Sequence, residues 1–269
     1  MNSIARAKLA AKRIVAPNDK KIQCNFCGVV FLKLEPDHSE KNMCPLCGSV
    51  SRERVVYSAI LNEYGDPEGI YKKNPKLANS KLIEFSPRNY LDRLSYYKKT
   101  HSDYVATDFD LSAHTGDMKV DITDMKDVKP LEGRFDIAIF THVLEHIPSY
   151  RVAIKNLRKI MSNGGIVILQ VPILEKEYTK VTWEEFHGDN TKVYHRFGFD
   201  LAEELAKYFD VTTYLGLLDF EVSSQEIDPE KYKYLKSGKV KVHQFGSGLM
   251  KKYGLGSPDL CEAFVLRAI

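Results

Sequence analysis

The chain has 269 residues, enough for one large domain, or for one domain and a small module, around a substantial core. Charged residues make up 28% and hydrophobic residues 43%, as in ordinary soluble globular proteins, and no apolar run approaches the ~18 residues of a membrane span. The net charge of +3 is too small to indicate a nucleic-acid-binding protein. No secretory signal is visible, so we expect a cytoplasmic protein.

The beginning of the chain is basic. Residues 1–23 contain a single acid, Asp19, and the basic residues Arg6, Lys8, Lys12, Arg13, Lys20 and Lys21. We interpret residues 1–20 as a basic N-terminal arm that faces solvent, since runs of charge usually do. A transit peptide and an anion-binding arm are the alternatives.

Two Cys-x-x-Cys pairs follow, with 16 residues between them. Each pair directs two thiolates at one ion, and this spacing is typical of a structural zinc site with four thiolate ligands. Two disulfides are the alternative, which a cytosolic setting disfavours. We therefore predict a zinc ribbon over residues 21–56, with structural Zn²⁺ held by Cys24, Cys27, Cys44 and Cys47.

Two arginines come directly after the second cysteine pair and lead into a predicted helix. Arg52 and Arg54 either clamp an anionic group of a substrate or belong to a solvated first helical turn, and both interpretations remain open. Residues 57–80 are interpreted as this helix and a linker that contains Pro67, Gly69 and Pro75.

Residues 81–269 alternate short apolar strands with helical stretches, which indicates βαβ units and a parallel sheet. Seven strands are predicted, at residues 82–85, 104–108, 120–122, 135–140, 166–172, 211–215 and 263–266. Each of the first three carries an acid at or near its end: Glu84, Asp108 and Asp121. Ligands bind beyond the carboxyl ends of such strands, and an acid after the second strand is placed to hold the ribose of an adenosine cofactor.

The fourth strand runs into Thr141-His142-Val143-Leu144-Glu145-His146, which we interpret as the entry to a helix. Ser149 is a suitable N-cap for apolar residues at helical spacing through Met161. Residues 173–198 are predicted to be a long irregular connection, and loops of this length at the carboxyl edge of a sheet are usually functional. Residues 217–251 are not assigned to any element.

Nine stretches together identify a family. They are residues 44–49 with Arg52 and Arg54, 82–87, 121–124, 135–136, 141–146, 163–165, 169–173, 196–198 and 253–255. In them the chain resembles class I S-adenosylmethionine-dependent methyltransferases, and more narrowly a bacterial subgroup with an N-terminal zinc ribbon. The resemblance covers most of the chain. It implies an α/β, Rossmann-like, seven-stranded mixed sheet over residues 81–269, preceded by the small four-cysteine ribbon.

The resemblance also implies where the cofactor S-adenosylmethionine lies. By position, its binding residues are Glu84, Phe85, Ser86, Pro87, Asp108, Asp121, Ile122, Thr141 and His142. The first four would line the methionine and ribose, Asp108 would hold the ribose hydroxyls, and the next two would bracket the adenine. The last two would lie under the sulfonium.

The turn after the first strand departs from the family pattern. Most relatives have a glycine-rich turn there, whereas this chain has Glu84-Phe85-Ser86-Pro87-Arg88. The subgroup that it resembles also has a proline-containing turn, so we interpret the stretch as a variant cofactor loop. Arg88 is a candidate partner for the methionine carboxylate.

Methyl transfer from a sulfonium is an in-line displacement, and orienting the reactants can supply about 7–11 kcal/mol. A hydroxyl acceptor also needs a general base, worth roughly 10²–10⁴ in rate, whereas a phosphate or carboxylate needs none. The candidate bases are His146, His187 and His195. Arg196 is a candidate for binding an anionic acceptor, with packing beside Phe197 as the alternative. A metal-binding pair of His142 and His146 is a weaker hypothesis, because no third ligand is evident.

The sequence therefore predicts a methyltransferase that acts on a hydroxyl of a small molecule, sugar or surface-glycan precursor. One alternative is an RNA methyltransferase that docks its substrate with the ribbon and the basic arm. Another is a non-catalytic binding module. A nicotinamide dehydrogenase is excluded because no G-x-G-x-x-G follows the first strand, and no oligomeric state is predicted.

Overall fold

The computed structural model describes residues 21–32, 42–87, 93–112, 116–173, 178–186, 190–215, 241–245, 247–255 and 263–269. The predicted basic arm, Arg88 and His187 lie outside these ranges. Among the helices within them, none combines the length and the apolar character needed to cross a membrane.

Helices separate most of the strands of the central sheet, as the sequence predicts. The strands are β1 (Lys21–Gln23), β2 (Val30–Leu32), β3 (Lys81–Phe85), β4 (Asp103–Asp108), β5 (Met118–Lys119), β6 (Phe135–Thr141), β7 (Met161–Gln170), β8 (Lys180–Phe186), β9 (Lys192–Arg196), β10 (Phe209–Leu215), β11 (Lys241–Gln244) and β12 (Ala263–Ala268). The α-helices are α1 (Ser51–Glu63), α2 (Arg93–Thr100), α3 (Met125–Val128), α4 (Tyr150–Ile160), α5 (Asp200–Ala206) and α6 (Ser247–Tyr253). The strands β5, β8, β9 and β11, by contrast, each follow another strand directly among the described elements.

The central sheet has eight strands in the order β11-β10-β12-β7-β6-β3-β4-β5. β3 pairs in parallel with β4 and β6, and β6 pairs in parallel with β7, whereas β12 is antiparallel to β7 and β10. This mixed sheet confirms the predicted α/β fold class. The third predicted strand lies at Met118–Lys119 rather than at 120–122, and β11 adds an eighth strand from the stretch that was not assigned.

Apolar residues cover both faces of the central strands. In β6, Ile137 and Ile139 belong to one hydrophobic cluster, whereas Ala138 and Phe140 belong to another. Successive side chains of a strand point to opposite faces, so the two clusters lie on the two sides of the sheet. Helices α3, α4 and α5 contribute to the second cluster, and α1, α2 and α6 contribute to the first.

The carboxyl ends of the central strands are level with one another. Phe85 of β3 is in register with Thr107 of β4 and with Phe140 of β6. The next residue of each strand therefore lies at the same edge of the sheet, which is where ligands bind in open α/β folds.

The four-cysteine module consists of residues 21–32 and 42–63, that is, β1, β2, the two cysteine turns and α1. Phe26 of this module stacks on Tyr57 with ring centroids 4.6 Å apart and contacts Tyr97 of α2 at 5.1 Å. The module thus shares one hydrophobic cluster with the sheet, and α1 continues across the boundary expected at residue 56.

The long connection after β7 contains an antiparallel hairpin, β8 and β9, where the sequence predicts irregular structure. Trp183 of this hairpin is 81% exposed. β9 lies against the 3-10 turn Leu144–His146 that follows β6, so the hairpin borders the carboxyl edge of the sheet.

Candidate functional site

The four predicted zinc ligands come together in the described part of the chain. All four Sγ atoms lie within 4.8 Å of one another, with Cys24 to Cys47 at 3.6 Å and Cys27 to Cys44 at 3.5 Å. Tetrahedral Zn–S bonds of about 2.3 Å separate the sulfurs by about 3.8 Å, so the cluster has the dimensions of a Zn²⁺ site. The four cysteines are free, not paired in disulfides.

The two cysteine turns have the same backbone hydrogen bonds. Gly28 N–H donates to the Cys24 carbonyl at 2.8 Å, and Gly48 N–H donates to the Cys44 carbonyl at 2.9 Å. Both glycines have positive φ, +84° and +73°, a conformation that glycine adopts without steric cost. Each turn therefore holds two thiols toward the centre of the cluster.

A cavity of about 890 Å³ lies at the carboxyl edge of the sheet. This volume is within the range of ligand pockets in proteins. Of the residues predicted to bind the cofactor or to act as bases, those that line it are Glu84, Phe85, Ser86, Asp108, Asp121, Ile122, Thr141, His142 and His146. Pro87, His195 and Arg196 are not part of its wall.

The turn after β3 replaces the expected glycine with Ser86. Its φ of +49° is in the left-handed region, and its N–H donates to the Thr107 carbonyl at 2.7 Å. The backbone thus makes at Ser86 the bend that glycine makes in most relatives.

Glu84 is buried in a charged network at the cavity wall. Tyr104 Oη donates to its Oε2 at 2.8 Å, and Arg93 Nη2 lies 3.3 Å from its Oε1. Burial raises the pKa of Glu84, while the charge of Arg93 and the hydrogen bond from Tyr104 lower it. Arg93 also forms an ion pair with Glu53 of α1. Glu84 is therefore tied to the four-cysteine module.

Two other strand-end acids face the cavity in different ways. Asp108 is buried, and its Oδ1 accepts a hydrogen bond from the Asp110 N–H at 2.8 Å. Asp121 Oδ1 accepts from both the N–H and the hydroxyl of Thr123, at 2.8 and 2.7 Å. Asp121 thus also shapes its own turn.

His142, Glu145 and His146 form a cluster after β6. Glu145 Oε1 lies 3.4 Å from His142 Nδ1 and 4.0 Å from His146 Nε2, and Glu145 is 2% exposed. The segment makes the turn Leu144–His146, and α4 begins only after Ser149. The two histidines therefore meet through a carboxylate rather than on one face of a helix.

The cysteines are the one group in the described residues whose ligand atoms are close enough to hold a metal ion. The histidine pair is not part of such a group. Glu145 was not selected from the sequence. Its position between the two histidines in the sequence is the signal that could have identified it as part of this cluster.

His195 and Arg196 do not line the cavity, and each has a partner within the protein. His195 is buried against Tyr150, with ring centroids 4.8 Å apart, and its Nε2 lies 3.0 Å from the Pro148 carbonyl oxygen. Arg196 Nε donates to Glu185 of the hairpin at 2.8 Å. In the structure His195 packs against the start of α4, and Arg196 pairs within the β8–β9 hairpin.

The two arginines after the second cysteine pair have different environments. Arg52 lines the cavity. Arg54 is completely buried and donates four hydrogen bonds to backbone carbonyls, those of Asn42, Ser49, Tyr253 and Gly254. Arg54 therefore fixes α1 in place, and it is neither a substrate clamp nor part of a solvated turn.

Further cavity residues were not selected as candidates from the sequence. They are Glu53, Arg93, Gln170, Lys192 and Tyr194. Lys192 Nζ lies 4.9 Å from the centroid of the Tyr194 ring, so a cation and an aromatic ring occupy the hairpin side of the cavity.

Comparisons with known proteins agree with this architecture. The sequence model of a family described as methyltransferase domain matches residues 63–217, more than half of the chain. A search of curated proteins finds no match.

Three solved structures illustrate the likeness. The 4+2 cyclase SpnF is 13% identical with a TM-score of 0.45, and the match covers 80% of this chain and 81% of that chain. A didemethyltoxoflavin N1-methyltransferase from Burkholderia thailandensis is 12% identical with a TM-score of 0.40, covering 80% and 88%. A methyltransferase from Archaeoglobus fulgidus is 14% identical with a TM-score of 0.41, covering 80% and 94%. By its match to the methyltransferase-domain family, this chain belongs to the class I S-adenosylmethionine-dependent methyltransferases.

Proposed function

We propose that this protein transfers the methyl group of S-adenosylmethionine to a hydroxyl of a small molecule, a sugar or a surface-glycan precursor. The observation that carries the proposal is one cavity that joins the strand-end acids Asp108 and Asp121 to the cluster of His142, Glu145 and His146. A candidate cofactor site and a candidate proton acceptor thus share one cavity.

The acids define the nucleoside side of the cavity. Asp108 follows β4, where a carboxylate accepts hydrogen bonds from ribose hydroxyls. Asp121 and Ile122 lie beyond it toward the edge strand β5, on the side for the adenine. When bound, the cofactor supplies an electrophilic methyl group, and Thr141 and His142 line the cavity near the reacting atoms in this arrangement.

His146 is the proposed general base. Its Nδ1 lies 2.7 Å from the Lys192 carbonyl oxygen, which only accepts hydrogen bonds, so Nδ1 carries the hydrogen and Nε2 is the nitrogen that takes up a proton. Glu145 is placed to stabilise the positive charge that then forms on the ring. Base catalysis of this kind contributes roughly 10²–10⁴ in rate.

The hairpin side of the cavity supports an acceptor with an anionic group. Lys192 and Tyr194 of β9 line this side, whereas Arg196, the residue predicted from the sequence, pairs with Glu185. A lysine beside an aromatic ring suits a phosphorylated sugar or a nucleotide-linked sugar. The tyrosine ring stacks on the sugar or base, and the lysine neutralises the charge of the phosphate.

Calorimetric titration with S-adenosylhomocysteine tests the cofactor site. Asp108→Asn is expected to weaken binding by about tenfold or more, since a hydrogen bond to a charged group contributes about 1.5–3 kcal/mol. Asp103→Asn is the matched control, because Asp103 stands at the other end of β4 and pairs with Arg134. It should leave the affinity unchanged.

The acceptor is tested by methyl transfer to a panel of sugar phosphates, sugar nucleotides and RNA, with labelled cofactor. We expect transfer to a hydroxyl of the sugar compounds. Binding of S-adenosylhomocysteine without any transfer would favour a binding module, and transfer to RNA alone would favour an RNA methyltransferase. A wild-type protein that gives no heat with S-adenosylhomocysteine would contradict the proposed function itself.

A further inference from the structure

Three consecutive residues of α1 lie in two different environments. Arg54 is buried in the four-cysteine module and donates to the carbonyls of Asn42 and Ser49, at 3.0 and 2.9 Å. Arg52 and Glu53 line the cavity instead. The first turn of α1 therefore belongs both to the metal-binding module and to the cavity wall.

Arg93 connects this turn to the strand that carries the variant cofactor loop. Its guanidinium pairs with Glu53 of α1 through Nη1 and lies 3.3 Å from Glu84 of β3 through Nη2. The side chain of Arg93 is only 4% exposed. Glu53, Arg93 and Glu84 thus form a buried link from the four-cysteine module to the end of β3.

Two buried polar atoms at this end of the cavity have no hydrogen-bond partner among the described residues. One is the donor Arg93 Nε and the other is the acceptor Gln170 Oε1, although Gln170 Nε2 donates to the Arg52 carbonyl at 3.3 Å. Unpaired groups in a buried site are costly unless a ligand satisfies them. Both residues line the cavity.

We propose that the four-cysteine module is part of the cofactor site and that α1 and Arg93 hold the amino-acid end of the cofactor. Metal loading of the module then controls cofactor affinity. The inference rests on the proposed function, because it assumes that S-adenosylmethionine occupies this cavity.

The chemistry of the unpaired groups matches a free amino acid. A carboxylate needs hydrogen-bond donors and positive charge, which Arg52 and Arg93 Nε offer. An ammonium group needs acceptors, which Gln170 Oε1 and the carboxylate of Glu84 offer. These residues replace a function that the backbone of a glycine-rich loop has in most relatives, since here the turn contains Ser86 instead.

The link to the metal runs through the start of α1. Ser49 Oγ lies 3.0 Å from Cys47 Sγ, and the Ser49 carbonyl accepts a hydrogen bond from Arg54. Since structural zinc sites fold on binding the metal, loss of the ion releases Ser49 and with it the first turn of α1. Arg52 and Glu53 then leave the cavity wall.

Two ligands distinguish recognition of the amino-acid end of the cofactor from a general effect on the cavity. S-adenosylhomocysteine carries the amino-acid end, and 5′-methylthioadenosine lacks it. Arg93→Gln is expected to weaken the binding of S-adenosylhomocysteine by about tenfold or more. The affinity for 5′-methylthioadenosine should change by less than about threefold. Arg93→Lys should keep part of the affinity. Lys98→Gln is the matched control, because Lys98 lies on the same helix and pairs with Asp117 in solvent.

Glu53→Gln provides a second variant in which Arg93 remains but its anchor to α1 is weakened. It should show the same selective loss with unchanged zinc content. Removing zinc from the wild-type protein with a chelator should also weaken the binding of S-adenosylhomocysteine more than the binding of 5′-methylthioadenosine. Added Zn²⁺ should restore the affinity for S-adenosylhomocysteine.

The outcomes are distinct. An equal loss for both ligands, or no loss for either one, in the Arg93→Gln variant or in the zinc-free protein overturns the inference while leaving the proposed function intact. Failure of the zinc-loaded wild-type protein to bind either ligand overturns the proposed function.

Discussion

Two residues at the cavity hold a backbone conformation that favours glycine. Ser86 has φ +49° and His142 has φ +53°, and such conformations cost about 1–3 kcal/mol each. Hydrogen bonds fix both, because Ser86 N–H donates to Thr107 at 2.7 Å and His142 N–H donates to Gln170 at 2.8 Å. The turns after β3 and β6 are thus shaped without glycine at the place where a ligand would approach.

At the same scale, His146→Ala is expected to lower kcat for a hydroxyl acceptor by about 10²–10⁴, as loss of a general base does. The affinity for S-adenosylhomocysteine should change little, because the ring takes up a proton in this proposal and does not hold the cofactor. Steady-state kinetics and calorimetry on the same preparation check both parts.

His195→Gln is the control for this prediction. His195 is buried outside the cavity wall, near Tyr150 and Phe197, so the change should lower the melting temperature and leave kcat largely unchanged. An equal fall in kcat for both variants would show that packing explains the loss, and proton transfer would then be the wrong assignment for His146.

Some site residues could be predicted from the sequence and others could not. Asp108 and Thr141 directly follow or end apolar runs, so their position at the sheet edge follows from the strand pattern. Gln170 ends β7 beside Thr141 and follows the same rule, whereas Arg93 reaches the cavity only through the packing of α2. No local periodicity encodes such contacts between distant elements.

At the scale of elements, helix α1 depends on one buried guanidinium. Arg54→Met is expected to lower the free energy of unfolding by about 3 kcal/mol or more, because four backbone carbonyls lose their donor and a buried unsatisfied group costs about 1–3 kcal/mol. Urea denaturation measures the change.

Arg52→Met is the control for Arg54→Met. It makes the same substitution two residues earlier in the same helix, on the cavity side, and should change the unfolding free energy by less than about 0.5 kcal/mol. If the two variants are equally stable, the buried hydrogen bonds of Arg54 do not hold α1.

Predictability also varied among the elements. β6 is buried on both faces and reads as a continuous apolar run, so its position was clear. β7 contains most of the predicted strand but begins at Met161, where the sequence predicted the end of a helix. β5 is only two residues long and partly exposed, and its neighbour Val120 is buried without being in the strand, which explains the shift from 120–122. The hairpin has an exposed outer face that includes Trp183, so its pattern did not indicate a strand.

At the scale of the whole molecule, the four-cysteine module packs on one face of the sheet together with helix α2. α1 and α2 contribute to the hydrophobic cluster on one face of the sheet, and that cluster also contains the cysteines. The four-cysteine cluster therefore lies within the main core, and the module is not an appendage joined by a linker.

The stability of the whole fold should depend on pH through His101. This ring is buried between Tyr71 and Ser80, at 2.9 and 2.7 Å, and burial lowers the pKa of His101 to about 4 from its ordinary value of 6.5. The unfolded chain therefore binds a proton more readily than the folded one. Between pH 7 and pH 5 the free energy of unfolding should fall by about 2 kcal/mol.

His101→Gln should remove this part of the pH dependence. Burial raises the pKa of Glu84, and a carboxyl with a raised pKa acts in the opposite direction, so the quantity to compare is the difference between variant and wild type. Urea denaturation at pH 7, 6 and 5 gives it. Parallel curves for the two proteins would refute the assignment to His101.

The hydrogen bond from Arg54 to Gly254 joins positions 200 residues apart, and β12, which closes the middle of the sheet, comes later still. During translation the two cysteine turns are therefore synthesised long before residue 254. Helix α1 can make these contacts only after residue 254 has been synthesised. Completion of the cavity wall thus depends on contacts between distant parts of the chain, and fusions or deletions near residue 254 should disturb the four-cysteine cluster.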